Sequence, residues 1–220
     1  IVIIMTAGLI LFGTLCFFII EFENPATMKD MNVFQKIMAS MFQSVTTRTA
    51  GYATVSQAGL EESSKLIGCI LMFVGGSPAG TAGGIKTTTA AMLILTVLCV
   101  LRNRRDTECF DRKIATESIK SGVTIALITF MVLFAGIMAL TVFEPGVDVL
   151  DLMYEAASAM GTVGLSADLT PGLTRASHIV LMLMMYIGRI GPLTMALVFA
   201  GKSDKSSQFR ELPEEKVMLG

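Results

Sequence analysis

Charge is scarce in this chain: 16% of its 220 residues are Asp, Glu, Lys or Arg, against about 25% in a typical soluble domain. Its 17 basic and 18 acidic residues leave a net charge of −1, which gives no electrostatic footing for a nucleic-acid partner. The four cysteines, Cys16, Cys69, Cys99 and Cys109, form no CxxC pair and no metal-like spacing, so they read as small apolar packing residues. The single histidine, His178, lies near one end of an apolar run and reads as an interfacial side chain rather than a ligand. No small-residue cleavage site follows the first apolar run, so a secretory signal is not expected. The chain opens at Ile1, inside that run, which is the expectation for the C-terminal part of a longer protein.

What the chain has instead is apolar length. Ile1–Ile20, Leu66–Leu101, Gly122–Phe143 and Ala176–Ala200 are four long apolar runs within a composition that is 53% hydrophobic. Roughly 20 apolar residues let a helix cross a bilayer, so each run is expected to span. Gly122–Phe143 contains no charged residue, a pattern that a half-exposed helix in water does not tolerate. Charge between the runs sets the orientation. Arg102 to Lys120 holds six Lys/Arg and the tail after Gly201 four, whereas Glu144 to Arg175 holds five acids and one base. The positive-inside rule then puts 102–120 and the C-terminus in the cytoplasm, with 21–65 and 144–175 outside.

Two tetrapeptides, Thr49-Ala50-Gly51-Tyr52 and Thr162-Val163-Gly164-Leu165, recur 113 positions apart in matching surroundings. Each follows an apolar run and a short helix-like segment, and each precedes another run, so 1–105 and 106–220 read as two copies of one plan. Met31–Val45 carries apolar residues at helical spacing over too short a length to cross, with Asn32 as its expected cap. Val147–Met160 is its counterpart, capped by Asp148 or Asp151. Both segments end just before a T-x-G turn, so their negative dipole ends would face a bound cation. Carbonyls of such turns can replace the hydration shell of potassium. Non-helical backbone at membrane depth survives only where protein or a water-filled cavity surrounds it.

The second run is too long for one crossing: its 36 residues would make about 54 Å of helix. Its middle, Gly75-Gly76-Ser77-Pro78-Ala79-Gly80-Thr81-Ala82-Gly83-Gly84-Ile85-Lys86-Thr87, is rich in the residues that disfavour helix interiors. Two half-helices joined by a flexible intramembrane loop are expected, and such a loop beneath a filter can act as a gate. A kinked helix with close small-residue contacts is the structural alternative. A phosphate-binding Walker reading of Gly80 to Thr87 fails, because Ile85 stands where the motif needs glycine and the preceding strand is absent. Arg189, in the middle of the last run, should face protein or water: it either hydrogen-bonds the loop and modulates cation passage or ties helices together. Lys86 poses the same question. Arg48 either anchors the first turn or snorkels outward. Met182, Met184 and Met185 read as packing. The linker Asn103–Ser121 reads as an interfacial helix and Lys202–Gly220 as a polar tail.

With Ser44-Val45-Thr46-Thr47-Arg48-Thr49-Ala50-Gly51-Tyr52, the glycine-rich loop and Gly161-Thr162-Val163-Gly164-Leu165 in view, the chain resembles the Trk/Ktr/HKT superfamily of potassium transporters, and most of all the membrane subunit of the bacterial Ktr system. The resemblance implies an all-α membrane protein built of span–pore-helix–span repeats with re-entrant pore loops and a broken helix. It implies four repeats around one pore, of which this chain matches the third and fourth. Filter residues would be Thr49, Ala50, Gly51, Tyr52, Thr162, Val163, Gly164 and Leu165. The gate would comprise Gly75–Thr89 with Arg189. Also implied are a plasma-membrane homodimer on a cytosolic nucleotide-binding ring, potassium as the transported ion, sodium as a coupling or stimulating ion, and no covalently bound cofactor. No enzyme activity is expected. The competing function is a secondary transporter of an organic solute with a broken-helix midplane site, which would place substrate-binding side chains near Gly80 and Arg189.

Overall fold

The computed structural model describes residues 1–78, 82–102, 107–109 and 112–191. Expectations for Ala79, Gly80, Thr81, the last part of the fourth run and the tail 201–220 lie outside the described residues. Seven helices carry the described fold: α1 Val2–Ile20, α2 Val33–Thr46, α3 Glu62–Phe73, α4 Thr87–Leu101, α5 Thr116–Phe143, α6 Val149–Met160 and α7 Arg175–Ile190. Short 3-10 turns at Glu21–Glu23 and Thr170–Gly172 complete the helical content. The order long helix, short helix, turn, helix occurs in α1–α2–α3 and again in α5–α6–α7.

Two helices among the described residues are long and apolar enough to cross a membrane, Val2–Glu23 with its 3-10 extension and Thr116–Phe143. Their surfaces match that reading. Ile3, Leu11, Leu15 and Ile19 on α1, and Phe130, Met131 and Val142 on α5, are exposed, which an aqueous setting would penalise over so continuous an area. Helix α5 starts six residues before the uncharged run, taking in Glu117 and Lys120, and its 28 residues extend about 42 Å. Helices α3 and α4 have 12 and 15 residues and are each shorter than a crossing; the long second run is divided between them.

The short helices sit where the sequence pattern puts them. Asn32 precedes α2, and its backbone N–H donates to the Gln35 side chain at 3.0 Å. Asp148 caps α6 by accepting from the Leu150 amide at 3.2 Å, which leaves Asp151 free to pair with Lys65 of α3 at 2.6 Å. Helix α6 is the hub. From Tyr154 to Met160 every residue is buried, with α5 and α7 against one side (Leu140, Leu152, Ala156, Leu181, Met184) and α3 against the other (Cys69, Met72, Ala157). Of the three methionines of α7, only Met184 enters this core; Met182 and Met185 are exposed. Close approaches fix the crossings: Gly13 of α1 faces Ser44 and Leu71, and Gly188 of α7 faces the Met160 carbonyl.

Among the described residues of the linker, Thr116–Ser121 is helical as the start of α5, but the stretch before it departs from the interfacial helix that its alternating charge suggests. Glu108–Cys109 and Arg112–Lys113 pair as a two-residue antiparallel hairpin with Glu108 opposite Lys113, and the Ile114 amide closes it by donating to the Thr107 carbonyl at 2.9 Å. Cross-strand charge pairing of this kind supports a hairpin, and alternation along a strand looks in sequence much like alternation along a helix surface.

Candidate functional site

Helices α2 and α6 each run into a tight turn. After α2, the Ala50 and Gly51 amides both donate to the Thr46 carbonyl, at 3.2 and 3.3 Å, while the Thr46 hydroxyl donates to the Tyr52 carbonyl at 2.5 Å. After α6, the Val163 amide donates to the Ser158 carbonyl at 2.9 Å and the Gly164 amide to the Ser158 hydroxyl at 3.2 Å. Thr49 and Gly51 have φ of +68° and +75°, and Thr162 and Gly164 have +50° and +93°. A threonine held left-handed costs on the order of 1–3 kcal/mol and persists only where its surroundings dictate it. The same two-residue alternation occurs in both turns.

The turns also meet. A Cβ at Gly51 would stand 2.2 Å from the Val163 carbonyl oxygen, and Gly164 lies beside Gly51 Cα. The Thr49 hydroxyl donates to the Gly161 carbonyl across a distance of 3.5 Å. Val163 and Leu165 bury their side chains in the core with Met72 and Tyr154, whereas Tyr52 is 73% exposed. Arg48 reaches back to α1, donating from Nη1 to the Thr6 carbonyl at 3.1 Å, so its head group is turned towards protein, not solvent.

The glycine-rich segment is pinched at its base. Gly75 donates to the Ile85 carbonyl at 2.9 Å, Ile85 to Phe73 at 3.0 Å and Thr87 to Gly76 at 3.1 Å, with Val74 and Ile85 bridged in parallel. Gly83 packs against Gly161, and its amide donates to the Thr162 hydroxyl at 3.0 Å. This brings the segment directly onto the second turn. Lys86 turns back to the Ala82 carbonyl, and Arg189, on the last turn of α7, is near enough for the two charges to interact. His178 stays outside this assembly, with Nδ1 at 2.9 Å from the Thr174 carbonyl.

Sequence reasoning missed what stands behind the turns. Gln43, Gln57 and Tyr154 form one buried hydrogen-bonded group. The Glu155 carboxylate receives the Ser166 hydroxyl, the Ala167 amide at 3.1 Å and the Thr170 hydroxyl at 3.0 Å. The signal was present: Gln43 and Glu155 are polar residues within short, otherwise largely apolar helices, and buried polar groups need partners. At the turns themselves the available chemistry is neutral oxygen, from backbone carbonyls and threonine hydroxyls. Among the described residues no group of three or more His, Cys, Asp or Glu is placed to hold a metal ion.

A family model described as TrkH, a cation transport protein, matches residues 1–209. The chain is 36% identical over 203 residues to Ktr system potassium uptake protein B of Bacillus subtilis (strain 168), covering 92% of this chain and 45% of that protein. It is 32% identical over 218 residues to the potassium/sodium uptake protein NtpJ of Enterococcus hirae, covering 97% and 48%. The crystal structure of the potassium transporter TrkH from Vibrio parahaemolyticus shares the fold, with a TM-score of 0.71 at 17% identity over 88% of this chain and 43% of that one. The chain thus spans about half the length of the curated relatives it matches. Family match, relatives and fold agree: the chain belongs to the TrkH family of cation transport proteins.

Proposed function

We propose that this chain forms half of the potassium-translocating pore of a bacterial uptake system in the plasma membrane, with its C-terminus in the cytoplasm. Residues 1–105 and 106–220 are the third and fourth of four span–pore-helix–span repeats, and α2 and α6 are the pore helices. Selectivity comes from carbonyls of Thr49-Ala50-Gly51-Tyr52 and Thr162-Val163-Gly164-Leu165. Gating comes from the intramembrane loop Gly75–Thr89, which joins α3 to α4, with Arg189 beside it. The resemblance to Ktr systems adds a homodimer, a cytosolic nucleotide-binding ring and sodium as a coupling or stimulating ion. The names of the relatives, potassium uptake protein and potassium/sodium uptake protein, support the ion.

One observation carries the reading: left-handed φ at Thr49 and Gly51, and again at Thr162 and Gly164, with Ala50 and Val163 between them outside that region. In an extended strand successive carbonyls point to opposite sides. Alternating handedness turns them to the same side, which is the geometry that lets carbonyls stand in for water around a potassium ion. The C-terminal ends of α2 and α6 add their negative dipole ends to the same place. Rubidium uptake by the full-length protein in bacteria lacking potassium uptake systems tests this. Gly51→Ser and Gly164→Ser should both weaken potassium-over-sodium preference at normal protein levels. Unchanged preference in both variants refutes the filter assignment. Solute-inhibited uptake without rubidium flux would favour an organic-solute carrier instead.

A further inference from the structure

Resting on the filter reading above, the geometry points to Tyr154, Gln57 and Gln43 as positioning residues for selectivity, a polar tie that holds the two turns in register from behind. Tyr154 belongs to α6, four residues before Ser158, whose carbonyl and hydroxyl hold the Val163 and Gly164 amides. Gln43 belongs to α2, three residues before Thr46, whose carbonyl and hydroxyl hold Ala50, Gly51 and Tyr52. Gln57 lies beyond the first turn and joins the two helices. Its Oε1 accepts from Tyr154 Oη at 2.7 Å and from Gln43 Nε2 at 2.6 Å. Its Nε2 donates to Gln43 Oε1 at 3.2 Å and to the Val55 carbonyl at 2.8 Å.

The group is sealed. Tyr154 and Gln43 are 0% exposed and Gln57 4%. Water therefore cannot replace a lost partner, and each bond matters more than its counterpart at a surface. The arrangement is also directional. Gln57 Oε1 can only accept, so the tyrosine must donate, and its ring is fixed against Gly68 of α3, where a Cβ would stand 3.0 Å from Cε2. The first turn reaches the second directly through the long 3.5 Å contact of Thr49 with Gly161 and the packing of Gly51 on Val163. Behind them, the Tyr154–Gln57–Gln43 chain is a short-bonded route between the two supporting helices. Moving either helix by a few tenths of an ångström would stretch this chain before it opened the turns. A filter that discriminates ions by the spacing of its carbonyls needs that stiffness.

The test uses the full-length protein in bacteria lacking potassium uptake systems, reading the ratio of rubidium to sodium uptake with surface level and melting temperature measured alongside. Tyr154→Phe removes one buried hydrogen bond of about 1 kcal/mol and should lower that ratio by about fivefold; Gln57→Met, which removes that bond and its bonds to Gln43 and Val55, should lower it by at least as much. The double variant should fall no further than the worse single one, because both remove the same link. Normal surface level with an unchanged ratio overturns the inference, even if the melting temperature drops, since a purely structural role would move stability alone. Additive losses in the double variant overturn it as well. If Gln57→Met fails to reach the membrane, Tyr154→Phe decides alone, because it removes a single oxygen atom. Gly164→Ser in the same assay separates the layers. A changed ratio there beside unchanged Tyr154→Phe and Gln57→Met leaves the filter standing and rejects the tie. An unchanged ratio in both Gly164→Ser and Gly51→Ser rejects the filter and the tie with it.

Discussion

The two filter glycines should differ in how much they tolerate, and the difference follows from their surroundings. Both have left-handed backbone, φ +75° at Gly51 and +93° at Gly164, so alanine at either position carries a penalty of about 1–2 kcal/mol. At Gly164 that is the whole cost, because the nearest atom to an added Cβ is Gly51 Cα at 3.8 Å, an ordinary contact. At Gly51 the added Cβ would sit 2.2 Å from the Val163 carbonyl oxygen, far inside the roughly 3.5–4.0 Å of a comfortable contact. Relieving that overlap adds about 1–3 kcal/mol and displaces a carbonyl of the opposite turn. Gly51→Ala should therefore disturb both turns, and Gly164→Ala chiefly its own. The gap of about 1–3 kcal/mol corresponds to about 5- to 150-fold in the population of intact filters. Rubidium uptake, sodium competition and melting temperature in detergent would be compared for the two variants at matched surface level. A Gly51→Ala variant as selective and as stable as Gly164→Ala would refute the reasoning.

Three other outcomes are expected. Gly188→Ala drives a Cβ to 2.1 Å from the Met160 carbonyl oxygen and should cost about 1–3 kcal/mol by prying α7 from α6, whereas Gly8→Ala, with nothing within 4 Å and in the interior of α1, should keep or slightly raise the melting temperature. Lys65→Met and Asp151→Asn should each cost about 1.5–3 kcal/mol, as for a charge-assisted hydrogen bond, and a double-variant thermal cycle should show them coupled; additive losses would mean that their 2.6 Å contact contributes nothing. The third concerns pH. Hydrogen bonds from the Ser177 hydroxyl and then the Thr174 amide hold the Glu144 carboxyl below its usual range. The stability it lends is present above the ordinary glutamate pKa and is lost as pH falls through the lowered value. The melting-temperature gap between wild type and Ser177→Ala should therefore be full at neutral pH and close in acid; a gap that is constant with pH would contradict this.

The helical elements were largely legible because their causes are local. Asn32 and Asp148 announce helix starts, and Gly122–Phe143 is uncharged and apolar all round. Five glycines and a proline within Gly75–Thr89 mark where helix must fail. The turns were legible as glycine positions, yet nothing local singles out Thr49 and Thr162 as left-handed; threonine is not enriched there, and only the packed surroundings enforce it. The linker hairpin was misread because charge alternation fits two periodicities at once. The Tyr154–Gln57–Gln43 group escaped for a different reason: Tyr154 bonds a partner 97 positions away, and no spacing rule connects residues that meet only through the fold.

The pinched base of the glycine-rich segment has a mechanical meaning. Because Val74 and Ile85 pair in parallel, the chain has the same heading where it leaves α3 and where it approaches α4. Three backbone bonds between 73–76 and 85–87 rivet the two helix ends together. The two half-helices of the second apolar run are thus coupled end to end by main-chain bonds, and a change of side chain in the segment leaves that coupling in place.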